Sequence, residues 1–299
     1  MRAAAIFGPG CSSRDLKLFQ PTPDVTWQTG MPVSSDDADL ILLFGGDGTI
    51  HRHLSRLVEL QRPALIIPSG SGNDFARSLG LRTVRDSLVA WRTFCTNQSN
   101  VQTVDLGVIE TLEGGYENAR NAPLSTRCFF CCVAGIGLDA EACRRANAMP
   151  RWLRGSGGYA LALAPAVFQF APVETKIQTS DSAADWTTHS DQPTLIAAFA
   201  NTPYYGGGMR IAPRAQMNDG LLDGCVITAM NPLKLFCLFP TVYFGRHLTV
   251  REVDYFQAGA IRLETEIPLD VYADGEFVCR TPVEISVERA ALPVLTAKK

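Results

Sequence analysis

The stretch LILLFGGDGTIHRHLSRLVEL, residues 40–60, joins an apolar run to a helical pattern through a turn that contains three glycines. Leu40 to Phe44 are five apolar residues without alternation, which predicts a strand buried on both faces. Beyond the turn, apolar residues recur at helical spacing: Ile50, Leu54, Leu57 and Val58. The sequence therefore predicts a tight turn that leads from a buried strand into an amphipathic helix.

The chemistry of this turn suits a phosphate group. Glycines let another group approach the backbone closely, and the helix directs N–H groups and the positive end of its dipole at the turn. Asp47 and a phosphate are both negatively charged, so a divalent cation is expected between them. The turn lacks the lysine of the P-loop pattern GxxxxGK[ST] and does not have the spacing of the dinucleotide-binding pattern GxGxxG. It therefore belongs to neither of these two classes of phosphate-binding turn. The alternative, a tight turn with Asp47 as a solvated or capping residue, stays open at this point.

Composition narrows the class of protein. The chain has 299 residues, of which 46% are hydrophobic and 19% charged, which is typical of a globular protein of two domains. The net charge of −3 argues against nucleic acid as a partner. Nine cysteines, an odd number spread along the chain, favour a reducing compartment over a disulfide framework.

Neither a signal peptide nor a transmembrane segment is predicted. The apolar run at the start is short and is better interpreted as a strand, and Gly157 to Pro172 is too short to cross a bilayer. We therefore expect a cytoplasmic protein whose membrane contact, if any, is peripheral. In the apolar run CFFCCVAG, the side chains of Cys128, Cys131 and Cys132 favour core packing over metal binding, because no second CxxC follows.

The first hundred residues alternate strand and helix. Predicted strands are Ala3–Phe7, Leu40–Phe44 and Ala64–Ile67, and predicted helices are Thr49–Leu60, one beginning near Asn73 or Asp74, and Val84–Phe94. This alternation predicts a parallel sheet with its functional turns at the carboxyl ends of the strands. We expect residues 1–100 to form an α/β domain of Rossmann-like architecture.

From residue 101 short strands dominate, which predicts a β-sandwich over residues 101–287. The predicted strands are Val101–Ile109, Arg127–Ala134, Val173–Gln178, Leu195–Ala200, Leu222–Thr228, Ala260–Glu264, Leu269–Tyr272 and Val283–Val287. Helices are predicted at Asp139–Asn147, Gly158–Phe170 and Pro232–Phe239, and a polar loop at Thr179–Gln192. The active site is expected in the cleft between the two domains. Residues 288–299 are expected to pack back onto the first domain.

Six ordered motifs resemble the diacylglycerol kinase catalytic family in its bacterial lipid kinase form. They are GGDGT (45–49), PSGSGNDFAR (68–77), DLG (105–107), AGIGLDA (134–140), NTPYYGGGMRIAPRAQMNDGLLDG (201–224) and DGE (274–276). Some segments depart from the family pattern: FGPG stands where NPxSG is frequent, and IHRH follows GGDGT. The resemblance implies an ATP-dependent kinase that phosphorylates a lipid alcohol such as diacylglycerol, phosphatidylglycerol or a sphingoid base.

The resemblance also implies roles for individual residues. ATP is expected to contact Gly45, Gly46, Gly48, Thr49, Gly70, Ser71, Gly72 and Asn73, and within this set Gly70, Ser71 and Gly72 are expected to supply a second phosphate or ribose contact. Asp47 is expected to hold or orient Mg²⁺. Thr26 is similar to an early ATP-contacting threonine of the family, and Thr29 is an equal candidate.

In the second domain the resemblance implies a base and a structural metal site. Glu276 is expected to accept the proton of the lipid hydroxyl, although DG is also a common hairpin turn. The carbonyls of Gln216 and Leu221 and the carboxylate of Asp219 are expected to hold a structural Mg²⁺. Two alternatives remain: an NAD kinase-like enzyme that shares GGDGT, and an inactive lipid- or nucleotide-binding module. The sequence leaves both the lipid and the oligomeric state, including a homodimer, open.

Overall fold

The computed structural model describes residues 1–112, 127–149, 165–181 and 183–297. The chain divides into two compact units. Unit 1 comprises Met1–Asp105 and Arg289–Lys299, and unit 2 comprises Leu106–Glu288. Among the described residues, no helix is both long and apolar enough to cross a membrane.

Unit 1 is an α/β fold built on a parallel sheet. Its elements are β1 (Arg2–Phe7), α1 (Ser13–Leu16), β2 (Thr26–Thr29), β3 (Leu40–Gly45), α2 (Asp47–Leu60), β4 (Ala64–Pro68), α3 (Asp74–Ser78) and α4 (Val84–Asn97). A strand from the end of the chain, β15 (Val283–Leu295), lies beside β4, so the strand order is β15–β4–β3–β1–β2, and all of these pairings are parallel. The three strands predicted for this region are confirmed, whereas the short edge strand β2 was not predicted.

The last part of the chain completes this unit. The end of β15 (Val283–Leu295) pairs in parallel with β4, with Val294 opposite Ala64. Gln61 Nε2 donates to Ala291 O at 2.8 Å, and Ala297 N donates to Leu79 O at 3.2 Å. These contacts bind residues 289–297 to elements near the start of the chain.

The core of unit 1 follows the apolar pattern of the sequence. Every residue of β3 is buried, and helix α2 buries Ile50, Leu54, Leu57 and Leu60 against the sheet. Val58, which the spacing placed on this face, is only half-buried. Burial of one such side chain stabilises the fold by about 1.5–3 kcal/mol. The buried face of α2 therefore holds its amino end firmly at the end of β3.

Unit 2 consists mainly of antiparallel strands. Its elements are the end of β5 (Val101–Thr111), β6 (Arg127–Phe130), β7 (Val133–Gly137), α5 (Leu138–Ala148), β8 (Val173–Ser180), β9 (Thr187–Ala200), β10 (Leu222–Thr228), α6 (Pro232–Val242), β11 (Val253–Ala258), β12 (Ala260–Thr265), β13 (Asp270–Ala273), β14 (Glu276–Arg280) and the start of β15. Alternate residues of these strands, such as Ile261 and Leu263 of β12, enclose a single apolar core. This arrangement confirms the predicted sandwich class.

Several boundaries in unit 2 differ from those predicted. The strand predicted at Arg127–Ala134 is two strands, because the chain bends at Cys131 and Cys132. Part of the predicted loop at Thr179–Gln192 is strand, because β9 begins at Thr187 and pairs with β8. Strands β11 and β14 were not predicted. Most of the helix predicted at Gly158–Phe170 lies outside the described residues.

Candidate active site

The turns that follow β1, β3 and β4 lie side by side at the carboxyl edge of the unit 1 sheet. Gly8 N donates to Phe44 O at 2.7 Å, and Ser69 N donates to Gly45 O at 3.0 Å. Because the three strands are parallel and in register, their turns share this edge. The two glycine turns singled out in the sequence are therefore neighbours, and the FGPG turn is a third member of the group.

The two glycine turns pack directly against each other through their backbone atoms. A Cβ at Gly46 would lie 2.8 Å from Gly70 Cα, and a Cβ at Gly70 would lie 2.5 Å from Gly46 Cα. Real Cβ atoms do not approach other atoms so closely, so neither position accepts a side chain without movement of the backbone. The requirement for glycine here is the close packing of the two loops.

The carboxylate of Asp47 joins the first turn to the helix that follows the second. Its Oδ1 accepts a hydrogen bond from Phe75 N and its Oδ2 one from Asp74 N, both at 3.1 Å. These two N–H groups open α3, and they have no partner within their own helix. Asp47 is thus a capping residue, as the alternative interpretation proposed, but it caps a helix that begins 27 positions further along the chain.

The second glycine turn is held by its own side chains. Asn73, at φ +55°, accepts a hydrogen bond from Gly70 N at 2.8 Å and donates one to Gly70 O at 2.7 Å. Arg77 pairs with the buried Asp74 and donates to Gly72 O at 3.1 Å. Ser71, at the tip, is exposed. Asn73 and Gly70 thus bind each other, and the tip of the turn faces solvent.

Thr49 is buried between two turns. A Cβ on Gly45 would lie 2.6 Å from Thr49 Oγ1, and one on Gly8 would also collide with that atom. The side chain of Thr49 thus fills the space beneath the turns after β1 and β3. This packing explains why Gly8, which sequence analysis did not include among the candidates, belongs to the site.

The register of β2 separates the two threonine candidates. Thr26 lies level with Arg2, at the amino end of β1, and Thr29 lies level with Ala5. At ~3.3 Å per residue, Thr26 is about 20 Å from the level of Gly8, and Thr29 is about 10 Å from it. The structure does not bring Thr26 to the glycine turns, and Thr29 lies closer to their edge.

In unit 2 the DGE motif forms the tip of a β-hairpin. Asp274 (φ +51°) and Gly275 (φ +85°) connect β13 to β14, and Glu276 stands opposite Ala273 with its side chain exposed. The carboxylate of Asp274 accepts hydrogen bonds from Cys131 N at 2.9 Å and Cys132 N at 2.8 Å. The DG pair is therefore a hairpin turn, and its aspartate fixes the tip to the bend between β6 and β7.

Helix α5 supports the same hairpin from another side. Asn147 Nδ2 donates to Gly275 O at 2.7 Å. Burial raises the pKa of the Cys143 thiol well above its ordinary value, and the negative charges of Asp139 and Glu276 raise it further. The thiol of Cys143 therefore stays protonated at neutral pH and is no candidate nucleophile. Through the hydrogen bond of Asn147, helix α5 thus holds the hairpin tip that carries Glu276, the candidate base.

The loop Gln216–Leu221 precedes β10 and carries the candidate metal ligands. Asp219 Oδ1 accepts a hydrogen bond from Leu221 N at 3.0 Å, which closes a tight turn at Gly220. Asp223, fully buried, accepts hydrogen bonds from Tyr255 Oη at 2.5 Å and from Gln257 Nε2 at 3.3 Å. Burial raises the pKa of Asp223, and the nearby charge of Asp219 raises it further. The carboxylates of Asp219 and Asp223 are oxygen donors of the kind that a hard cation such as Mg²⁺ prefers.

Four residues that hold the candidate groups in place were not predicted for that role. Gly8 and Asn147 carry no motif that reveals a distant partner, and Asp274 was considered only as a turn former. Arg77, although part of PSGSGNDFAR, was given no role of its own. Each of these residues acts through a hydrogen bond or a close approach to another loop, which only the folded chain reveals.

Comparison with known proteins assigns both units to families. Residues 26–109 match the diacylglycerol kinase catalytic domain, and residues 132–296 match the YegS C-terminal NAD kinase beta sandwich-like domain. A diacylglycerol kinase of Mycobacterium tuberculosis is 35% identical over 260 residues, which cover 86% of this chain and 76% of that protein. A diacylglycerol kinase of Bacillus subtilis is 26% identical, with coverage of 82% and 74%.

Solved structures show the same fold. A diacylglycerol kinase of Bacillus anthracis superposes with a TM-score of 0.67 at 18% identity, covering 99% of this chain and 96% of that one. An NAD kinase of Archaeoglobus fulgidus in complex with ATP gives a TM-score of 0.51 at 15% identity, with coverage of 100% and 94%. The family matches and the ordered motifs define an ATP-dependent kinase. The chain belongs to the diacylglycerol kinase family and is a lipid kinase.

Proposed function

We propose that this kinase transfers the γ-phosphoryl group of ATP to the hydroxyl of diacylglycerol. Among the lipid alcohols that the sequence left open, diacylglycerol comes first, because the relative at 35% identity carries that name. Phosphatidylglycerol and sphingoid bases are the competing acceptors. The observation that carries the proposal is the contact of the two glycine turns, fastened by Asp47, at the carboxyl edge of the unit 1 sheet.

Unit 1 would hold the phosphates of ATP. The backbone of Gly46 and Gly48 opens α2, where N–H donors and the helix dipole stabilise negative charge. Ser71 and Gly72 would contribute from the tip of the second turn. Gly45, Thr49, Gly70 and Asn73 act mainly by packing and internal hydrogen bonds. Phosphoryl transfer needs mostly positioning and charge stabilisation, which rigid loops of this kind supply.

Glu276 of unit 2 would act as the base. An alcohol is a weak nucleophile, so a carboxylate that accepts its proton assists the attack on the γ-phosphorus. The oxygen–phosphorus bond to the acceptor forms, the bond to the bridging oxygen breaks, and ADP leaves with that electron pair. Asp274 and Asn147 would hold Glu276 in position through the hairpin tip.

Two roles are proposed for Mg²⁺. As part of the Mg–ATP substrate it would balance charge between the phosphates and Asp47. A second, structural ion would be held by Asp219 and the carbonyls of Gln216 and Leu221, next to the buried Asp223. Mg²⁺ supplies positive charge to an acidic loop there, and that role concerns stability more than chemistry.

An exposed apolar surface on unit 2 suits contact with a membrane. Helix α6 buries Leu235, Leu238 and Val242 but leaves other apolar side chains exposed. The exposed group consists of Leu233 (65%), Phe236 (48%), Tyr243 (40%) and Phe244 (73%). The exposed cations Arg246 and Arg251 follow closely in the chain. Apolar and aromatic residues beside cations favour the surface of an anionic bilayer, from which the lipid acceptor would be drawn.

A labelled-phosphate assay tests the acceptor. Protein, Mg²⁺ and γ-labelled ATP are incubated with dispersed diacylglycerol, phosphatidylglycerol or sphingosine, and with NAD in a separate reaction. We expect label in phosphatidic acid at the highest kcat/KM. Faster labelling of another lipid would replace the acceptor, and NADP formation without any labelled lipid would favour the NAD kinase-like alternative that the shared fold suggests.

A vesicle experiment tests the membrane surface separately. Leu233→Ser and Phe244→Ser should reduce sedimentation with phosphatidylglycerol vesicles, because each change removes apolar area from the lipid contact. Ile267→Ser is the matched control, since Ile267 is also exposed (55%) but lies in another part of unit 2. Equal loss of binding in all three variants would contradict a specific surface at α6.

A further inference from the structure

The bend between β6 and β7 brings two consecutive thiols together. In a regular strand, successive side chains point to opposite faces. Here the chain leaves strand geometry at Cys131 and Cys132, and their sulfur atoms lie 3.9 Å apart. Cys131 Sγ is also 3.4 Å from Asp274 Oδ2. One ligand atom from each of the three residues lies within 4.8 Å of the other two.

These distances match the edges of a metal coordination tetrahedron. With Zn–S bonds of ~2.3 Å, two thiolates on one zinc ion are about 3.8 Å apart. With a Zn–O bond of ~2.0–2.2 Å, a thiolate and a carboxylate oxygen are about 3.6 Å apart. The distances of 3.9 Å and 3.4 Å are close to these values. Two of the three edges of a tetrahedral face are therefore close to their expected lengths, and the third, between Cys132 Sγ and the carboxylate, is within 4.8 Å.

The surroundings suit such a site. Both thiols are buried, whereas Asp274 is half-buried, so an ion would enter from the side of the carboxylate. Hydrogen bonds from Cys131 N and Cys132 N fix the orientation of that carboxylate, as groups outside the coordination sphere do in metal sites. Carboxylate oxygens have further lone pairs, so these hydrogen bonds and a metal bond are compatible.

We propose that Cys131, Cys132 and Asp274 form a site for a thiophilic divalent cation, with Zn²⁺ as the reference ion. The ion replaces the two thiol protons, which pass to solvent, and a water molecule completes the tetrahedron. The site differs from the oxygen-lined loop at Asp219, because thiolates select borderline and soft cations over Mg²⁺.

The position of the site gives it a consequence for activity, and this part rests on the proposed function. Asp274 lies two residues before Glu276 in the same hairpin tip. An ion that draws Asp274 toward the two sulfurs shifts the hairpin that presents the base. Zn²⁺ is therefore expected to lower kcat, while KM for ATP changes little, because the glycine turns belong to unit 1.

Binding is tested on the reduced full-length protein without any activity assay. Cd²⁺, which binds thiolates and absorbs in the ultraviolet when it does so, is titrated into the protein, and Zn²⁺ is then used to displace it. We expect one equivalent to bind with a thiolate absorption band. Cys132→Ser should weaken binding at least about tenfold, whereas Cys95→Ser, a half-buried cysteine of α4, should leave it unchanged.

If a cysteine variant does not fold, X-ray absorption at the zinc edge of the wild-type protein identifies the atoms that bind Zn²⁺. Two sulfur ligands at about 2.3 Å, with oxygen in the remaining positions, support the site. A coordination sphere of nitrogen and oxygen alone overturns it, as does an unchanged cadmium band in folded Cys132→Ser. Zinc inhibition is measured separately, so binding without inhibition refutes only the coupling to Glu276.

Discussion

The turn at Gly45–Thr49 and the turn at Asp274–Glu276 share one device. In each, an aspartate carboxylate accepts hydrogen bonds from two consecutive backbone N–H groups of a distant loop: Asp74 and Phe75 for Asp47, and Cys131 and Cys132 for Asp274. We call such an aspartate a clamp, because it ties its turn to a distant segment. In the first turn Asp47 is both the clamp and a residue with a proposed role in the chemistry. In the second turn the clamp is Asp274 and the proposed base is Glu276.

The difference determines how mutations can be interpreted. A substitution at Asp47 changes charge at the proposed phosphate site and also releases the start of α3, so lost activity alone does not identify the cause. At the second turn, a substitution at Glu276 leaves both hydrogen bonds of Asp274 in place. Stability and turnover should therefore change together in the first turn and separately in the second.

Glu276→Gln is expected to have the largest effect on turnover. The amide keeps the size of the side chain but cannot accept the proton, and general-base assistance contributes ~10²–10⁴-fold. We expect kcat to fall by that factor, with an unchanged melting temperature, because Glu276 is exposed and is not part of the clamp. A kcat within a few-fold of wild type in the folded variant would leave DGE as a turn only.

The variants Asp47→Ala and Asp47→Asn together separate the effect of the lost charge from the effect of the lost hydrogen bonds. Both remove the charge, and loss of such an electrostatic element costs about 10²–10³-fold in kcat. Alanine also leaves two helix N–H groups without their acceptor, at about 1–3 kcal/mol for each buried donor, whereas asparagine keeps one acceptor oxygen. Calorimetry should show a lower melting temperature for alanine than for asparagine.

Equal melting of the two Asp47 variants would argue against the clamp. Near-normal turnover of a folded Asp47→Asn protein would argue against a role for its charge at the phosphates. The two outcomes are independent, because one is read from calorimetry and the other from kinetics.

Asp274→Ala should act mainly on stability. It removes two hydrogen bonds to a charged acceptor, each of which contributes about 1.5–3 kcal/mol, less where solvent screens the charge. We expect a clearly lower melting temperature and a kcat loss smaller than that of Glu276→Gln, since the base remains but its hairpin is less rigid. A larger kcat loss than for Glu276→Gln would assign the chemistry to Asp274 itself.

The smallest expected effect belongs to Asp219→Ala. An ion that binds only the native state stabilises it by RT ln(1 + [L]/Kd), so Mg²⁺ should raise the melting temperature of wild type more than that of the variant. Asp185→Ala, at an exposed position outside the loop, is the control. The same Mg²⁺-dependent shift in all three proteins would remove Asp219 from the set of ligands.

Local patterns predicted the elements that carry the site. The apolar run of β3 and the helical spacing of α2 are contained in 21 consecutive residues of sequence, so the strand, turn and helix could be predicted from them. The glycines of the first turn were expected to admit a phosphate to the backbone, and the contact between Gly46 and Gly70 was not predicted. The two residues touch each other, 24 positions apart, and no local pattern contains that contact.

Elements without an apolar face were missed for a different reason. Thr187–Gln192 is polar and mostly exposed, and it is a strand only because its backbone pairs with β8. The helix expected to begin near Asn73 or Asp74 does begin at Asp74, but the side chain of Asn73 turns back to Gly70, and the carboxylate of Asp47 accepts the first N–H groups. In both cases tertiary hydrogen bonds, which sequence periodicity does not record, determined the outcome.

The return of the chain to unit 1 bears on how the protein is synthesised. Residues 289–297, which pair with β4 and bind Gln61 and Leu79, are translated after all of unit 2. Until these residues are made, β4 lacks one of its two neighbouring strands in the unit 1 sheet. Domains commonly fold in order from the amino terminus, but here the sheet that carries the two glycine turns, although synthesised first, is completed last.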